Sequence, residues 1–127
     1  MKKRTIRSYV NDITGRMKAV GTYREEFRPT MERLAFLYSV RDDLERKFEE
    51  DGAQPVIDHT NARGATNPTK NPILTARDEI YTQLLAHERE LGLTPAALKK
   101  MNESAMRPEK KSGFSAALAE ALNDAGA

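Results

Sequence analysis

Residues 23–51, YREEFRPTMERLAFLYSVRDDLERKFEED, decide the fold because they predict the longest helix in the chain, with Gly52 as its C-terminal stop. The residues expected to face inward recur at helical spacing: Phe27, Met31, Leu34, Leu37, Tyr38, Leu44 and Phe48. A helix of this length spans about 40 Å, which is longer than a small domain can fully cover. We therefore expect part of this apolar stripe to contact another chain; the alternative is an ordinary two-helix hairpin inside a monomer.

The preceding residues predict a first helix that ends at Gly21. Its apolar residues lie three or four positions apart on one face: Ile6, Val10, Ile13, Met17 and Val20. Gly15 lies inside this helix, and a glycine there costs about 1 kcal/mol relative to alanine. The first helix therefore needs a partner surface, and the two helices together predict a long helical hairpin.

Residues 52–72, GAQPVIDHTNARGATNPTKNP, have neither helical nor strand periodicity and contain several prolines and glycines. This composition predicts an extended loop without regular structure. A loop of about 20 residues is uncommon in a compact domain and is usually functional or mobile.

Two helices are predicted after this loop, each opened by a capping residue and a proline. Asn71-Pro72 begins the third helix, which ends at Gly92, and Thr94-Pro95 begins a short fourth helix. The expected inward-facing residues of the two helices are Ile73, Leu74, Ile80, Tyr81, Leu84, Leu85 and Leu91, then Leu98 and Met101. The sequence thus predicts an all-α fold.

The C-terminal residues form a separate region in this interpretation. Residues 1–106 make up the helical domain, and residues 107–127 form a polar linker followed by a short amphipathic helix with Phe114, Leu118 and Leu122 on one face. Helices this short are marginal alone in water. The segment is expected to dock either on its own domain or on a partner, and the sequence favours neither.

Charge is unevenly distributed, although the net charge is only +2. Residues 1–18 carry a net charge of +5, with the basic residues Lys2, Lys3, Arg4, Arg7, Arg16 and Lys18. Residues 23–51 carry a net charge of −3. The basic segment can bind a polyanion such as DNA, or it can pair with the acidic helix, so charge alone leaves both open.

No catalytic site, metal site or cofactor is predicted. The chain has no cysteine, which excludes thiol chemistry, and the phosphate-loop pattern GxxxxGK[ST] is absent. Asp58-His59 and His87 lack further ligands at metal-binding spacing. The acidic residues between Asp42 and Asp51 alternate with basic ones, as on a solvated helix face. We therefore expect a protein that is not an enzyme.

Residues 61–101, NARGATNPTKNPILTARDEIYTQLLAHERELGLTPAALKKM, resemble the small-subunit terminase family of tailed phages. The matching features are Gly64, the Asn71-Pro72 helix start and the turn at residues 91–95, Leu-Gly-Leu-Thr-Pro; with the long helix, the resemblance covers about residues 24–102. Members often have an arginine where this chain has Leu98, so no polar role transfers there, although Lys99 and Lys100 adjoin it.

The resemblance implies a ring-forming helical subunit that binds double-stranded viral DNA and regulates the large terminase subunit in the host cell cytoplasm. We expect DNA contacts from the basic residues of 1–18 and large-subunit contacts from Phe114, Leu118 and Leu122. The predicted oligomer interface consists of Phe27, Met31, Leu34, Tyr38, Ile80 and Leu84. The alternatives are a helical DNA-binding transcriptional regulator, for which no helix-turn-helix pattern is evident, and a coiled-coil scaffold that binds no nucleic acid.

Overall fold

A computed structural model describes residues 3–105 and 121–122, which are mostly helical. The elements in chain order are α1 (Ile6–Val20), a 3-10 turn (Glu25–Phe27), α2 (Arg28–Glu50), β1 (Val56–Thr60), β2 (Thr66–Lys70), α3 (Pro72–Glu90) and α4 (Pro95–Ala105). The four predicted helices are confirmed. Helix α2 begins later than predicted, because Pro29 occupies its first turn, where a proline is favoured.

Helix α2 is the central element, and α1 and α3 both pack against it. The core residues on α2 are Met31, Leu34, Ala35, Leu37 and Tyr38. They are covered by Tyr9, Val10, Ile13 and Met17 of α1 and by Leu84 and Leu91 from the α3 side. The α1–α2 hairpin of the prediction is therefore present, with α3 as a second partner of α2.

The prediction of a mostly helical fold is confirmed, but residues 56–70, predicted as part of an extended loop, form an antiparallel β-hairpin, so the fold is not all-α. At its tip, Asn61 Oδ1 accepts hydrogen bonds from the backbone N–H groups of Arg63 and Ala65, at 2.9 and 3.1 Å. Gly64 there has φ +84°, which favours glycine. Of the strand residues only Ile57 is partly buried, so the hairpin has no alternating apolar pattern that a sequence analysis could detect.

Asn71 fastens the base of the hairpin to the start of α3. Its Oδ1 accepts a hydrogen bond from the backbone N–H of Ile73, and its Nδ2 donates one to the carbonyl oxygen of Gln54, both at 3.0 Å. The Asn71 side chain is buried, so these two bonds satisfy its Oδ1 and Nδ2 atoms, which have little access to water. The predicted cap thus also sets where the hairpin leaves the helical body.

Gly92 lies at the junction of three helices, directly after α3. Its φ is +67°, and a Cβ there would lie 2.4 Å from Sδ of Met101 on α4 and 2.9 Å from Cγ2 of Thr22, just beyond α1. The positive φ therefore favours glycine, and a Cβ would force Met101 or Thr22 to move.

Gly92→Ala is expected to lower the free energy of unfolding by about 1–3 kcal/mol, because alanine is strained in the left-handed region and its Cβ displaces a neighbour. Gly15→Ala is the matched control. A Cβ at Gly15 meets nothing within 4 Å, so that change should stabilise α1 by about 0.5–1 kcal/mol. Urea denaturation measures both, and a Gly92→Ala protein as stable as the parent would contradict the packing at this junction.

Candidate functional site

The basic N-terminal segment lies along α1, and two of its cations are paired with carboxylates of the same chain. Lys3 Nζ lies 2.8 Å from Oδ2 of Asp43 on α2. The Arg4 guanidinium forms an ion pair with Asp12 and lies over the Tyr9 ring, with Cζ 4.2 Å from the ring centroid. Lys2 lies outside the described residues. Part of the segment therefore does pair with the acidic helix.

The Lys3–Asp43 pair changes the titration of the carboxylate. A hydrogen bond from Lys3, aided by one from Arg46, lowers the pKa of Asp43 below its ordinary value. A lowered pKa means that Asp43 is ionised in the folded chain at neutral pH. The charge of Lys3 is thus balanced locally, although both side chains are exposed and such surface pairs contribute little to stability.

The other basic residues predicted to bind DNA have no ion pair with a carboxylate within residues 3–105. Arg7 is exposed on the outer side of α1. Lys18 Nζ lies 5.0 Å from the centroid of the Tyr23 ring, and Arg16 Nη1 donates a hydrogen bond of 2.9 Å to Tyr38 Oη. These three cations form the least neutralised part of α1.

The aromatic residues beneath this surface keep their phenol protons at neutral pH. Burial raises the pKa of Tyr38, although the hydrogen bond from Arg16 opposes the shift. Burial also raises the pKa of Tyr9, and its hydrogen bond to Asp42 acts in the same direction. Arg16 therefore donates its hydrogen bond to a neutral hydroxyl group, and Tyr38 does not neutralise the positive charge of Arg16.

The residues predicted to form the oligomer interface are mostly buried within a single chain. Met31, Leu34, Tyr38 and Leu84 belong to the core, while Phe27 and Ile80 are partly buried and pack against it. Packing within one chain thus accounts for the burial of all six. Their apolar surface is not what this chain exposes.

The apolar residue that α2 does expose is Phe36, which is 60% exposed and was not among the predicted interface residues. It lies in an open groove of about 670 Å³ between α2 and α3, lined by Pro29, Glu32, Arg33, Phe36, Leu37, Gln83 and His87. The sequence signal was the unbroken run LAFLY at residues 34–38, which places apolar side chains all around the helix. Because the sequence analysis placed the apolar residues on one face of α2, it did not identify Phe36 as an exposed apolar residue.

The remaining predicted sites contribute less. Leu122 is 66% exposed, while Phe114 and Leu118 lie outside the described residues. Asp58 and His59 are exposed on β1, and Nδ1 of His87 lies 2.8 Å from the carbonyl oxygen of Gln83. Within residues 3–105 and 121–122, no cluster of three or more histidine or acidic side chains is arranged to hold a metal ion. No helix in that part of the chain is long and apolar enough to cross a membrane.

Comparison with known proteins identifies a family. The family model described as phage terminase, small subunit, matches residues 10–107, which include α1 to α4 almost entirely. Searches of curated proteins and of solved structures each gave no significant match.

Proposed function

Because the chain belongs to the phage terminase small subunit family, we propose that it is a non-catalytic adaptor that binds double-stranded viral DNA and regulates the large terminase subunit during genome packaging. Besides family membership, the observation that supports DNA binding is the row of cations along α1. The proposed contacts are Lys2, Lys3, Arg4, Arg7, Arg16 and Lys18, led by those without a carboxylate partner within residues 3–105.

Phosphate contacts rather than base contacts are the chemistry that these residues favour. Lys and Arg neutralise backbone phosphates and displace counterions, so affinity falls as salt rises and depends little on sequence. Lys3 and Arg4 must exchange Asp43 and Asp12 for phosphates, whereas Arg7 and Lys18 break no ion pair seen within residues 3–105. The latter two should therefore contribute more to the net affinity.

The double variant Arg7→Gln/Lys18→Gln is expected to bind duplex DNA more weakly and to reduce the slope of log affinity against log salt by about 2, or about 1 per lost phosphate contact. Lys3→Gln should have a smaller effect per charge removed. Fluorescence anisotropy over a salt series measures both. Lys47→Gln/Arg89→Gln removes the same charge from exposed positions on α2 and α3 and is the control. Equal losses in the control and the α1 variant would argue against α1 as the DNA-binding surface.

Self-association into a ring is the second part of the proposal, with another copy of the chain covering the groove around Phe36. Phenylalanine exposed to this degree leaves apolar area in water, and burying such a side chain is worth about 1.5–3 kcal/mol. Glu32 and Arg33 place opposite charges at the rim of the groove, which suits contact with a surface of mixed charge.

Phe36→Ser is expected to shift the mass distribution toward smaller species in mass photometry or sedimentation, since it removes the largest exposed side chain of α2. Val56→Ser is the matched control, because Val56 is 55% exposed on the hairpin and away from the groove. A parent protein that is monomeric at micromolar concentration would exclude the ring. A parent oligomer unaffected by Phe36→Ser would place its interface elsewhere.

Contact with the large subunit is proposed for residues 114–124, through Phe114, Leu118 and Leu122. Leu122 presents exposed apolar surface, as a partner-binding residue requires. Truncation after Ser112 is expected to weaken capture of the large subunit while leaving DNA affinity unchanged. Unchanged capture by the truncated protein would remove this segment from the mechanism.

A further inference from the structure

Three arginines, two of them among the proposed DNA contacts, line a cleft on one flank of α1. The cleft has a volume of about 320 Å³ and is bordered by α1, α2 and α3. Its lining residues, which define the Arg16–Arg41 cleft, are Arg4, Tyr9, Asp12, Arg16, Tyr38, Arg41 and Glu88. The outer cations Arg7 and Lys18 do not line this cleft.

Two guanidinium groups from different helices converge on Tyr38 in this cleft. Arg16 Cζ lies 6.0 Å and Arg41 Cζ 4.7 Å from the centroid of the Tyr38 ring. Arg16 uses one donor on Tyr38 Oη, and Arg41 directs its Nε and Nη2 at Oδ1 of Asp42. Since an arginine has five N–H donors, each group retains donors for a ligand.

Arg16 is the arginine of this cleft that forms no ion pair within residues 3–105. Arg4 is paired with Asp12, and Arg41 with Asp42, which lies beside the cleft. Among the described residues Arg16 donates one side-chain hydrogen bond, to the neutral Tyr38 hydroxyl, and the carboxylate of Glu88 lines the same cleft. An oxyanion can accept hydrogen bonds from the remaining donors of Arg16 and Arg41.

We infer that the Arg16–Arg41 cleft binds one phosphate group of the DNA backbone, with Arg16 as the principal contact and Tyr38 as the residue that positions it. This inference rests on the proposed DNA binding and adds a specific site to it. Arg4, just before α1, lines the cleft and is exposed. The cleft thus lies on the flank of α1 that carries Arg16, and it adds a contact to those proposed for Arg7 and Lys18.

Glu88 on α3 should have the opposite effect to Arg16 on phosphate affinity. Its carboxylate lines the same cleft and has no ion pair within residues 3–105. An anion that enters the cleft is repelled by Glu88, so neutralising this residue should tighten phosphate binding.

The test compares Arg16→Gln, Glu88→Gln and the control Lys47→Gln in the full chain, by anisotropy on two duplexes of unrelated sequence. Arg16→Gln is expected to weaken binding about tenfold on both duplexes, as for one lost charge-assisted hydrogen bond, with a salt slope lower by about 1. Glu88→Gln should bind more tightly than the parent. Arg16→Lys, which keeps the charge but loses the fork, should lie between parent and Arg16→Gln. Thermal melts verify that the variants fold.

The inference is overturned if the parent binds DNA and Arg16→Gln binds it as well as Lys47→Gln does. It is also overturned if Arg16→Gln weakens capture of the large subunit but not DNA binding, which would identify an acidic protein partner. A parent that binds no duplex would refute the proposed function instead.

NMR of the arginine Nε–H groups tests the cleft independently of DNA. Titration with inorganic pyrophosphate should shift the Arg16 signal at concentrations where succinate does not. No shift with pyrophosphate, or equal shifts with both anions, would reject a phosphate site.

Discussion

The structure depends on the burial of one stripe of α2 between α1 and α3. Met31 and Leu34 are essentially inaccessible to water, as are Ile13 and Met17 of α1 opposite them. Each such side chain stabilises the fold by about 1.5–3 kcal/mol when fully buried. Because α1 contains Gly15 and is short, this contact rather than intrinsic helix propensity keeps it helical.

That same contact distributes the charges. Packing α1 along α2 brings Lys3 beside Asp43 and Tyr9 beside Asp42, while Arg16 meets Tyr38. A basic segment that looks uniform along the sequence is thereby divided into paired cations, outer cations without an ion pair in the described part of the chain, and a cation in a cleft. Under the proposed function, the cations without an ion pair in the described part of the chain are the candidates for contacts with DNA phosphates.

Three exposed surfaces of the described residues differ in chemistry. The groove around Phe36 is apolar and open, the outer side of α1 is basic, and the hairpin is polar on nearly every residue. The groove lies on α2 and α3, and the basic surface lies on α1. These helices share one core, whereas the hairpin is a separate element. The proposed adaptor function requires contacts with DNA, with other copies of the chain and with the large subunit, and separate surfaces of this kind would suit it.

The sequence by itself determined the helices, because capping residues, prolines and glycines act within a few residues: Gly21, Asn71-Pro72 and Thr94-Pro95 all bound helices as predicted. The family could also be identified, since its motif is built from those same local signals. The hairpin and the pairing of the cations could not be predicted. The strands lack an apolar face, and Lys3 meets Asp43 across 40 positions. The sequence predicted that Met31 and Leu34 face inward, but tertiary packing alone decides that α1 and α3 of the same chain cover them, and that Phe36 remains exposed.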